Sequence, residues 1–330
     1  MVNYTKNELS RFNGRLLSPK VILIIPQSKL FTSNTLIFDD QTKLVVDTGF
    51  QHGSGQLTSI KDFFSIGSED FIFFSHYHID HIIGSHIFSS SSKLIHQSEK
   101  DAFESLEAFL QFCFQNKLSS SEYDQWKPHF LTFLEYEGLS RWTDLVLDDT
   151  QRIDTRRPLD LGEISLDVLP LPGHSPGHCG LYEPHNHILF IGDIDLSNFG
   201  PWYGWRNANI DSFQQSIAQL RQFIEDNEIS WIIPSHSEPI NNKQDCLKRL
   251  DLYGIKFDER KKRILEFITQ QRSNGTTIGE IAEKSFIYQG KKSTPAFIFE
   301  TFEYFMVEHH LEELVLEGYV NFEGDKVFFI

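Results

Sequence analysis

The chain has 330 residues, and its 46 Asp and Glu outnumber its 30 Lys and Arg, which gives a formal net charge of −16. Proteins that coat DNA or an anionic membrane present an excess of Lys and Arg, so this balance argues against both classes. With 30 Phe and 10 Tyr the chain has ample material for a hydrophobic core, which excludes disorder over most of its length. The length suggests two domains, or one large domain with an appendage.

The cysteines and the N-terminal segment predict a reduced protein of the cytoplasm. Cys113, Cys179 and Cys246 lie far apart, and no pair has CxxC spacing. The opening residues, MVNYTKNELSRFNGRLL, contain no apolar stretch of the kind found in a secretory signal. The longest apolar run near them, Val21–Ile25, is too short to span a bilayer. We therefore expect buried thiols and no membrane partner.

Residues 20–240 alternate between strand-like runs and helical segments. The strand-like runs are rich in β-branched and aromatic residues and are separated by turn-forming residues. They are Val21–Ile25, Thr35–Phe38, Lys43–Val46, Phe71–Phe74, Ile164–Leu169, Cys179–Tyr182, Ile188–Ile191 and Trp231–Ile233. Apolar periodicity predicts helices over Leu57–Phe64 and Ile210–Ile224. This alternation predicts a layered α/β fold.

A helical insertion is predicted over about residues 98–145. Apolar residues recur at helical spacing from Phe103 to Phe114, and Glu and Gln occupy many of the positions between them. A break is predicted near Leu118, because one of the serines that follow can cap the next helix. We expect two or three helices here.

The pattern changes after about residue 250. The predicted elements are three helices and a β-hairpin, over Phe257–Arg272, Thr277–Ser285, Thr294–Glu317, Tyr319–Phe322 and Lys326–Ile330. Gly318 is placed to terminate the third helix. Three helices followed by a hairpin is the order of a winged helix. We therefore predict a larger α/β domain over residues 1–250 and a small winged-helix-like domain over residues 251–330.

The strongest chemical signal directly follows the predicted strand Phe71–Phe74. The segment His76–His81, HYHIDH, holds three imidazoles and a carboxylate. In open α/β folds, sites gather at the carboxyl ends of strands, where loops converge on a ligand. His and Asp suit zinc, and iron and manganese accept the same ligand types. A His-rich surface loop is the alternative, but the ligand types and the strand context agree on a metal site.

Three later segments each place one ligand-type residue after a predicted strand. His174 lies in PGHSPGH, whose glycines permit a tight loop that aims an imidazole inward. Asp193 lies in Gly-Asp and His236 in Pro-Ser-His, each behind a buried strand. One such residue would be weak evidence, but four segments at one edge of the strands are strong evidence for a shared site.

These motifs resemble those of the metallo-β-lactamase superfamily. HYHIDH matches the HxHxDH motif of the family, and PGHSPGH, GD and PSH follow in the family's order, over roughly residues 20–245. The resemblance implies an α/β fold of the four-layer αβ/βα sandwich type, with a dinuclear metal site between its two sheets. The helical insertion would be an addition to the compact members of the family and could roof the site.

By position, the resemblance also implies two ligand groups that share one residue. The implied ligands are His76, His78 and His174 for one metal ion, Asp80, His81 and His236 for the other, and Asp193 as the bridge. The expected cofactors are two divalent ions, zinc first, with iron or manganese as alternatives. Asp80 is the expected catalytic residue, since it could ligate a metal ion and orient the nucleophile. Asp47 matches an early aspartate that is mainly structural in the family.

The other polar and aromatic residues near the motifs are assigned supporting roles. Asp195 and His178 are expected to support the ligand loops. The remaining histidines near the motifs are expected to be non-ligands, namely His52, His86, His185 and His187. The aromatic segment Phe199–Trp205 could form a substrate wall, and ordinary packing of a connecting loop is an equal alternative.

The implied chemistry is hydrolysis. Two metal ions that share a water would lower its pKa from about 15.7 towards 7 and so provide hydroxide at neutral pH. The expected function is a metal-dependent hydrolase acting on a small-molecule ester, thioester or lactone. The C-terminal part is expected to pack on the catalytic part or to form a homodimer contact.

Two alternative functions stay open. An RNA or DNA endonuclease is suggested by resemblance to the winged-helix-tailed branch of the superfamily, but residues 251–330 have a net charge of −4 and one basic cluster, Arg260–Arg263. Nucleic acid is therefore a disfavoured partner. An iron-dependent oxidoreductase on the same fold is the second alternative, because ligand types alone do not determine the metal. The flavodiiron branch, however, usually carries Glu where His78 stands and is fused to a flavin domain.

Overall fold

The structure is a computed structural model that describes residues 4–26, 32–50, 56–147, 149–271, 274–290 and 295–330. A sheet of seven strands forms the first half of the fold, in the order of the chain. Its strands are β1 (Gly14–Ser18), β2 (Val21–Ile24), β3 (Thr35–Phe38), β4 (Leu44–Val46), β5 (Phe71–Phe73), β6 (Ser92–His96) and β7 (Gln151–Ile153). Strands β1 to β4 are antiparallel, and β4 to β7 are parallel. Strands β1, β6 and β7 were not predicted from the sequence.

A second sheet holds five strands in the order β12-β11-β10-β9-β8. They are β8 (Leu159–Asp160), β9 (Ser165–Pro170), β10 (Cys179–Glu183), β11 (Ile188–Gly192) and β12 (Trp231–Pro234). The pair β11 and β12 is parallel, and the other neighbours are antiparallel. As a result, β9, β11 and β12 all run in the same direction, and their carboxyl ends meet at one edge of the sheet.

Alternate residues of the strands face two different apolar layers, as period-two side-chain placement requires. In β2, Val21 and Leu23 join a core between the two sheets, whereas Ile22 and Ile24 pack with helices on the outer face. In β11, Phe190 faces the same central core, and Ile191 packs with helices on the other outer face. The fold is therefore a four-layer αβ/βα sandwich, as the sequence predicted.

The helices belong to the two outer layers. The first sheet carries α1 (Lys6–Ser10), α2 (Gln56–Phe64) and α3 (Ile79–Ile82), and the second carries α6 (Ile210–Asp226) and α7 (Lys243–Gln270). The insertion supplies α4 (Leu106–Cys113) and α5 (Ser120–Tyr136), together with flanking 3₁₀ turns. The predicted serine cap is confirmed, because the Ser119 side chain accepts from the backbone N–H of Glu122 in a capping box.

Helix α7 begins much earlier than predicted, at Lys243 instead of Phe257. Asn242 caps it, and buried residues recur every three or four positions from Cys246 to Ile268. This stripe packs on the second sheet and α6, and this tertiary packing stabilises the first turns of the helix. The boundary proposed at residue 250 falls inside this helix. The predicted end at Arg272 lies outside the described residues.

The C-terminal elements are α8 (Ile278–Ala282), α9 (Ala296–Leu316) and a three-stranded sheet of β13 (Thr276–Thr277), β14 (Val320–Glu323) and β15 (Lys326–Phe329). Helix α8 is shorter than predicted: it begins one residue later, because Thr277 caps it and pairs with β15, and it ends at Ala282 instead of Ser285. Gly318 follows the end of α9 with φ +76°, which confirms its predicted role. Apolar residues of α9, β14 and β15 share one core with α7.

None of the helices in the described ranges has the length and apolar character needed to cross a bilayer. The three cysteines are free and buried, as the sequence predicted.

Candidate metal centre

The predicted ligands lie together at one end of the sandwich, where strands from both sheets end. His76 and His78 follow β5, and the one-turn helix α3 carries Asp80 and His81. The other three, His174, Asp193 and His236, follow β9, β11 and β12. Because these strands end at the same edge, residues far apart in sequence come within contact distance.

The first group consists of three imidazoles and a carboxylate. His76 Nε2 lies 2.8 Å from His78 Nδ1 and 3.1 Å from His174 Nε2, and the last two atoms lie 3.0 Å apart. An Asp193 oxygen, Oδ2, lies 3.2 Å from His174 Nε2 and 3.8 Å from His76 Nε2. All four side chains are buried.

The second group shares Asp193 with the first. His236 Nε2 lies 3.4 Å from Asp80 Oδ2 and 3.3 Å from Asp193 Oδ1. His81 Nε2 lies 3.7 Å from Asp80 Oδ2 and 3.1 Å from Asp193 Oδ1. Asp193 thus presents one oxygen to each group, and all seven predicted ligands are brought together.

The spacing and the lone pairs of the donor atoms suit metal binding better than direct hydrogen bonds between these side chains. Tetrahedral zinc with Zn–N bonds of about 2.0–2.1 Å separates its nitrogen ligands by about 3.3 Å, close to the spacing of the first group. His174 Nδ1 donates to the Trp202 carbonyl at 2.9 Å, so Nε2 carries no proton and its lone pair faces the other imidazoles. His81 Nε2 and Asp193 Oδ1 are buried and form no hydrogen bond in the described part of the chain, despite their separation of 3.1 Å.

Asp47 orients the segment Ser75–His81 through hydrogen bonds to Ser75 and to His81. Its carboxylate accepts hydrogen bonds from Ser75 N and Ser75 Oγ, each at 2.8 Å, and from His81 Nδ1 at 2.8 Å. A carboxylate behind a ligating imidazole selects the tautomer whose other nitrogen is free for a metal. The structural role implied for Asp47 is therefore to orient Ser75 and the imidazole of His81.

Burial and mutual charge shift the pKa values of the cluster in opposite directions. Burial, assisted by the neighbouring imidazoles, holds the pKa values of His76 and His78 well below the usual range. For His236, the surrounding carboxylates outweigh burial and raise the pKa to about 9. For Asp193, the imidazoles outweigh burial and hold the pKa well below its usual value. Strongly perturbed groups of both signs in one buried cluster are typical of a functional site.

His178 is outside both groups and supports them. Its Nδ1 donates to the Leu171 carbonyl at 2.9 Å, so its Nε2 can accept from the backbone N–H of Asp193 at 2.9 Å. Gly192, with φ +56°, lies against this imidazole: a Cβ on Gly192 would be 2.2 Å from His178 Nε2. The glycine of the Gly-Asp motif is therefore required for both its backbone angle and its lack of a side chain.

Replacing Gly192 with alanine is expected to lower the free energy of unfolding by about 3 kcal/mol or more, because a left-handed backbone cost of about 1–2 kcal/mol adds to a steric clash. Gly138→Ala is the matched control, since Gly138 has φ +77° and a Cβ at this position would meet nothing within 4 Å. Urea denaturation of both variants measures the difference. Equal losses would show that the close approach to His178 carries no cost.

Part of the segment Phe199–Trp205 is packed in the core, and part of it lies beside the ligand cluster. Tyr203 and Trp205 are buried in the core. Trp202 is only partly buried, and its ring lies 5.5 Å from that of His78 and 5.6 Å from that of His174. Its Nε1 donates to Tyr288 Oη at 2.8 Å, and its ring packs 5.0 Å from that of Phe302 in α9. Trp202 therefore lies between the ligand cluster and the C-terminal elements.

The other polar residues assigned from the sequence lie at the periphery of the cluster or away from it. Asp195 accepts from the backbone N–H of His236 at 2.9 Å, and burial raises its pKa to about 6. His86 bonds to the Ile83 carbonyl, and His187 lies near Glu228. His52 lies outside the described residues. Glu99 was not singled out in the sequence, because no motif distinguishes it from other acidic residues, yet it is fully buried beside the His174 loop.

Solved structures with the same fold match nearly the whole chain. A metallo-β-lactamase family protein from Thermus thermophilus aligns with a TM-score of 0.68 and 18% identity, covering 96% of this chain and 100% of its own. A β-lactamase domain protein from Burkholderia ambifaria gives a TM-score of 0.67 and 16% identity, covering 96% and 93%. At these identities the likeness concerns the fold alone.

Sequence comparison identifies the family. A search of curated protein sequences found no match. Residues 28–236 match the profile of the metallo-beta-lactamase superfamily, and this range contains every residue of the two ligand groups. The chain belongs to the metallo-β-lactamase superfamily.

Proposed function

We propose that this protein is a hydrolase that acts on a small ester, thioester or lactone with two divalent metal ions, zinc being the first to test. Membership of the superfamily supports a metal-dependent hydrolase in general. The observation that carries the proposal is the convergence of seven buried or half-buried donor residues into two groups joined by Asp193.

In this proposal, His76, His78 and His174 hold one ion, and Asp80, His81 and His236 hold the other. Bound ions would polarise the attacked carbonyl and supply a nucleophilic water near neutral pH. The chain's own contribution is orientation. Asp193 keeps the two groups together, and Asp80, the most exposed carboxylate of the set at 15%, is placed to orient the nucleophile.

The position of Trp202 favours a small, partly apolar substrate. Its half-buried indole lies beside two of the ligand imidazoles, where it can form one wall of a binding cleft. The C-terminal elements hold this wall through Tyr288 and Phe302. We also propose that residues 251–330 form a winged-helix-like unit, because their order of helices and strands fits one.

The charges of the C-terminal part favour this substrate class over nucleic acid. Arg260 is buried and donates to the carbonyls of Phe199 and Pro201. Lys261 pairs with Glu313 and Glu317 on α9. Two members of the Arg260–Arg263 cluster are therefore committed to internal contacts, which leaves little of it for a phosphate backbone.

The test is metal analysis of the purified protein followed by assays with p-nitrophenyl esters, thioesters and lactones. We expect about two metal ions per chain, and hydrolysis that a chelator abolishes and added zinc, manganese or iron restores. His78→Ala should lose metal and activity, whereas His185→Ala, at an exposed histidine, should keep both. Absence of metal, or full activity in His78→Ala, would refute the proposal. Cleavage of RNA without cleavage of any ester would refute the substrate class.

A further inference from the structure

Glu99 is a fully buried carboxyl in the 3₁₀ turn Gln97–Phe103 that follows β6. Its Oε1 accepts a hydrogen bond from Ser175 Oγ and a second from the backbone N–H of Gly177 at 2.8 Å. Neither partner is a cation. Burial raises the pKa of this carboxyl to about 7. Burying a carboxyl is costly unless hydrogen bonds compensate for the lost water, and both of these bonds come from the loop after β9.

The hydrogen-bond partners of Glu99 both belong to the loop that bears His174. Ser175 directly follows His174 in the loop after β9. Gly177 follows two residues later in the same loop. One carboxyl oxygen therefore holds the loop of His174 at two points.

The loop after β9 is packed closely against Glu99. A Cβ on Gly177 would lie 2.8 Å from Glu99 Cγ and 2.8 Å from His96 Nδ1. These separations are shorter than carbon and nitrogen atoms tolerate, so only glycine allows the loop to approach this far. The position of the loop that bears His174 thus depends on both Gly177 and Glu99.

We propose that Glu99 is a positioning residue for the metal site: it holds the loop that bears His174 against the turn after β6, and so sets the position of His174 in the first ligand group. The inference rests on the proposed metal binding. Residues that orient ligands from outside typically change metal affinity by 10–100-fold when they are lost. Because both hydrogen bonds of Glu99 reach the loop of His174, which belongs to the first group, its effect is confined to that group.

The experiment measures the affinity of each binding step with Zn²⁺ or Co²⁺ in competition with a chromophoric chelator. His78→Ala and Asp80→Asn identify which step belongs to which ligand group. Glu99→Gln keeps the shape but places a neutral amide at the carboxylate position, and we expect it to weaken the first group by about 10-fold and Glu99→Ala by up to about 100-fold. The second group should change by less than about threefold. Glu104→Gln, at an exposed acid of the same segment, should change neither.

Gly177→Ala approaches the same contact from the other side and leaves Glu99 in place. It should give the same selective loss, and it replaces the Glu99 variants if those do not fold. Unchanged affinity at both steps, or an equal loss at both, would overturn the inference. The two proposals fail differently: a wild-type protein that binds no metal refutes the function, whereas a wild-type protein with two metals and variants that match it refute only the role of Glu99.

Discussion

Replacing Asp193 with asparagine is expected to lower the metal content from about two ions to at most about one per chain and to lower hydrolysis by about 10³-fold or more, since a bound metal contributes several kcal/mol to transition-state stabilisation. Asp193 presents one oxygen to each ligand group, at 3.2 Å from His174 Nε2 and 3.1 Å from His81 Nε2. An amide keeps the shape but removes the charge that the surrounding imidazoles stabilise. Elemental analysis and the ester assay measure the two effects.

The matched control for this variant is Asp211→Asn, at an exposed aspartate in the first turn of α6. It should keep full metal content and full activity. An Asp193→Asn protein that retains two ions and acts within about 10-fold of wild type would contradict the bridging role assigned to Asp193.

Replacing Trp126 with alanine is expected to lower the free energy of unfolding by about 3–5 kcal/mol, the usual cost of deleting a large buried aromatic side chain. Trp126 lies in α5 with 2% of its surface exposed. Its ring contacts aromatic rings of the insertion, of the segment Phe199–Trp205 and of α9, namely Phe114, Phe130, Trp205, Phe297 and Phe302. The variant should therefore loosen the packing of the insertion on the C-terminal elements.

Urea denaturation, with near-ultraviolet circular dichroism as a second probe, measures this loss. Tyr136→Ala is the control in the same helix, because Tyr136 is 47% exposed and its loss should cost less than about 1 kcal/mol. Similar costs for the two variants would show that the cluster around Trp126 does not hold the insertion in place.

Local signals were sufficient for the elements whose causes are local. The start of α5 followed from a serine that could cap it, and Ser119 does so through a capping box with Glu122. The end of α9 followed from Gly318, which takes the positive φ that this position requires. These features depend on residues within one turn of each other, so sequence reading recovers them.

Elements that depend on packing were missed or misplaced. Strand β6 begins at Ser92, in a stretch of serines that carries no strand signal, and it forms because β5 and β7 pair with it on both sides. The first turns of α7 were missed because their stability comes from burial against the second sheet and α6. In both cases a partner distant in sequence supplies the free energy.

The sequence by itself determined the superfamily, the sandwich fold and the identity of the candidate ligands, because His and Asp in these motifs at strand ends satisfy chemical demands that few other arrangements meet. Only the tertiary structure decided the distances between the ligand atoms and the hydrogen bonds that hold the ligand loops in place. Glu99 and Gly177 are 78 residues apart, and nothing in either local sequence predicts their contact. The contact exists because the two sheets bring the end of β6 against the loop after β9, and a long-range contact of this kind arises only from the folded packing.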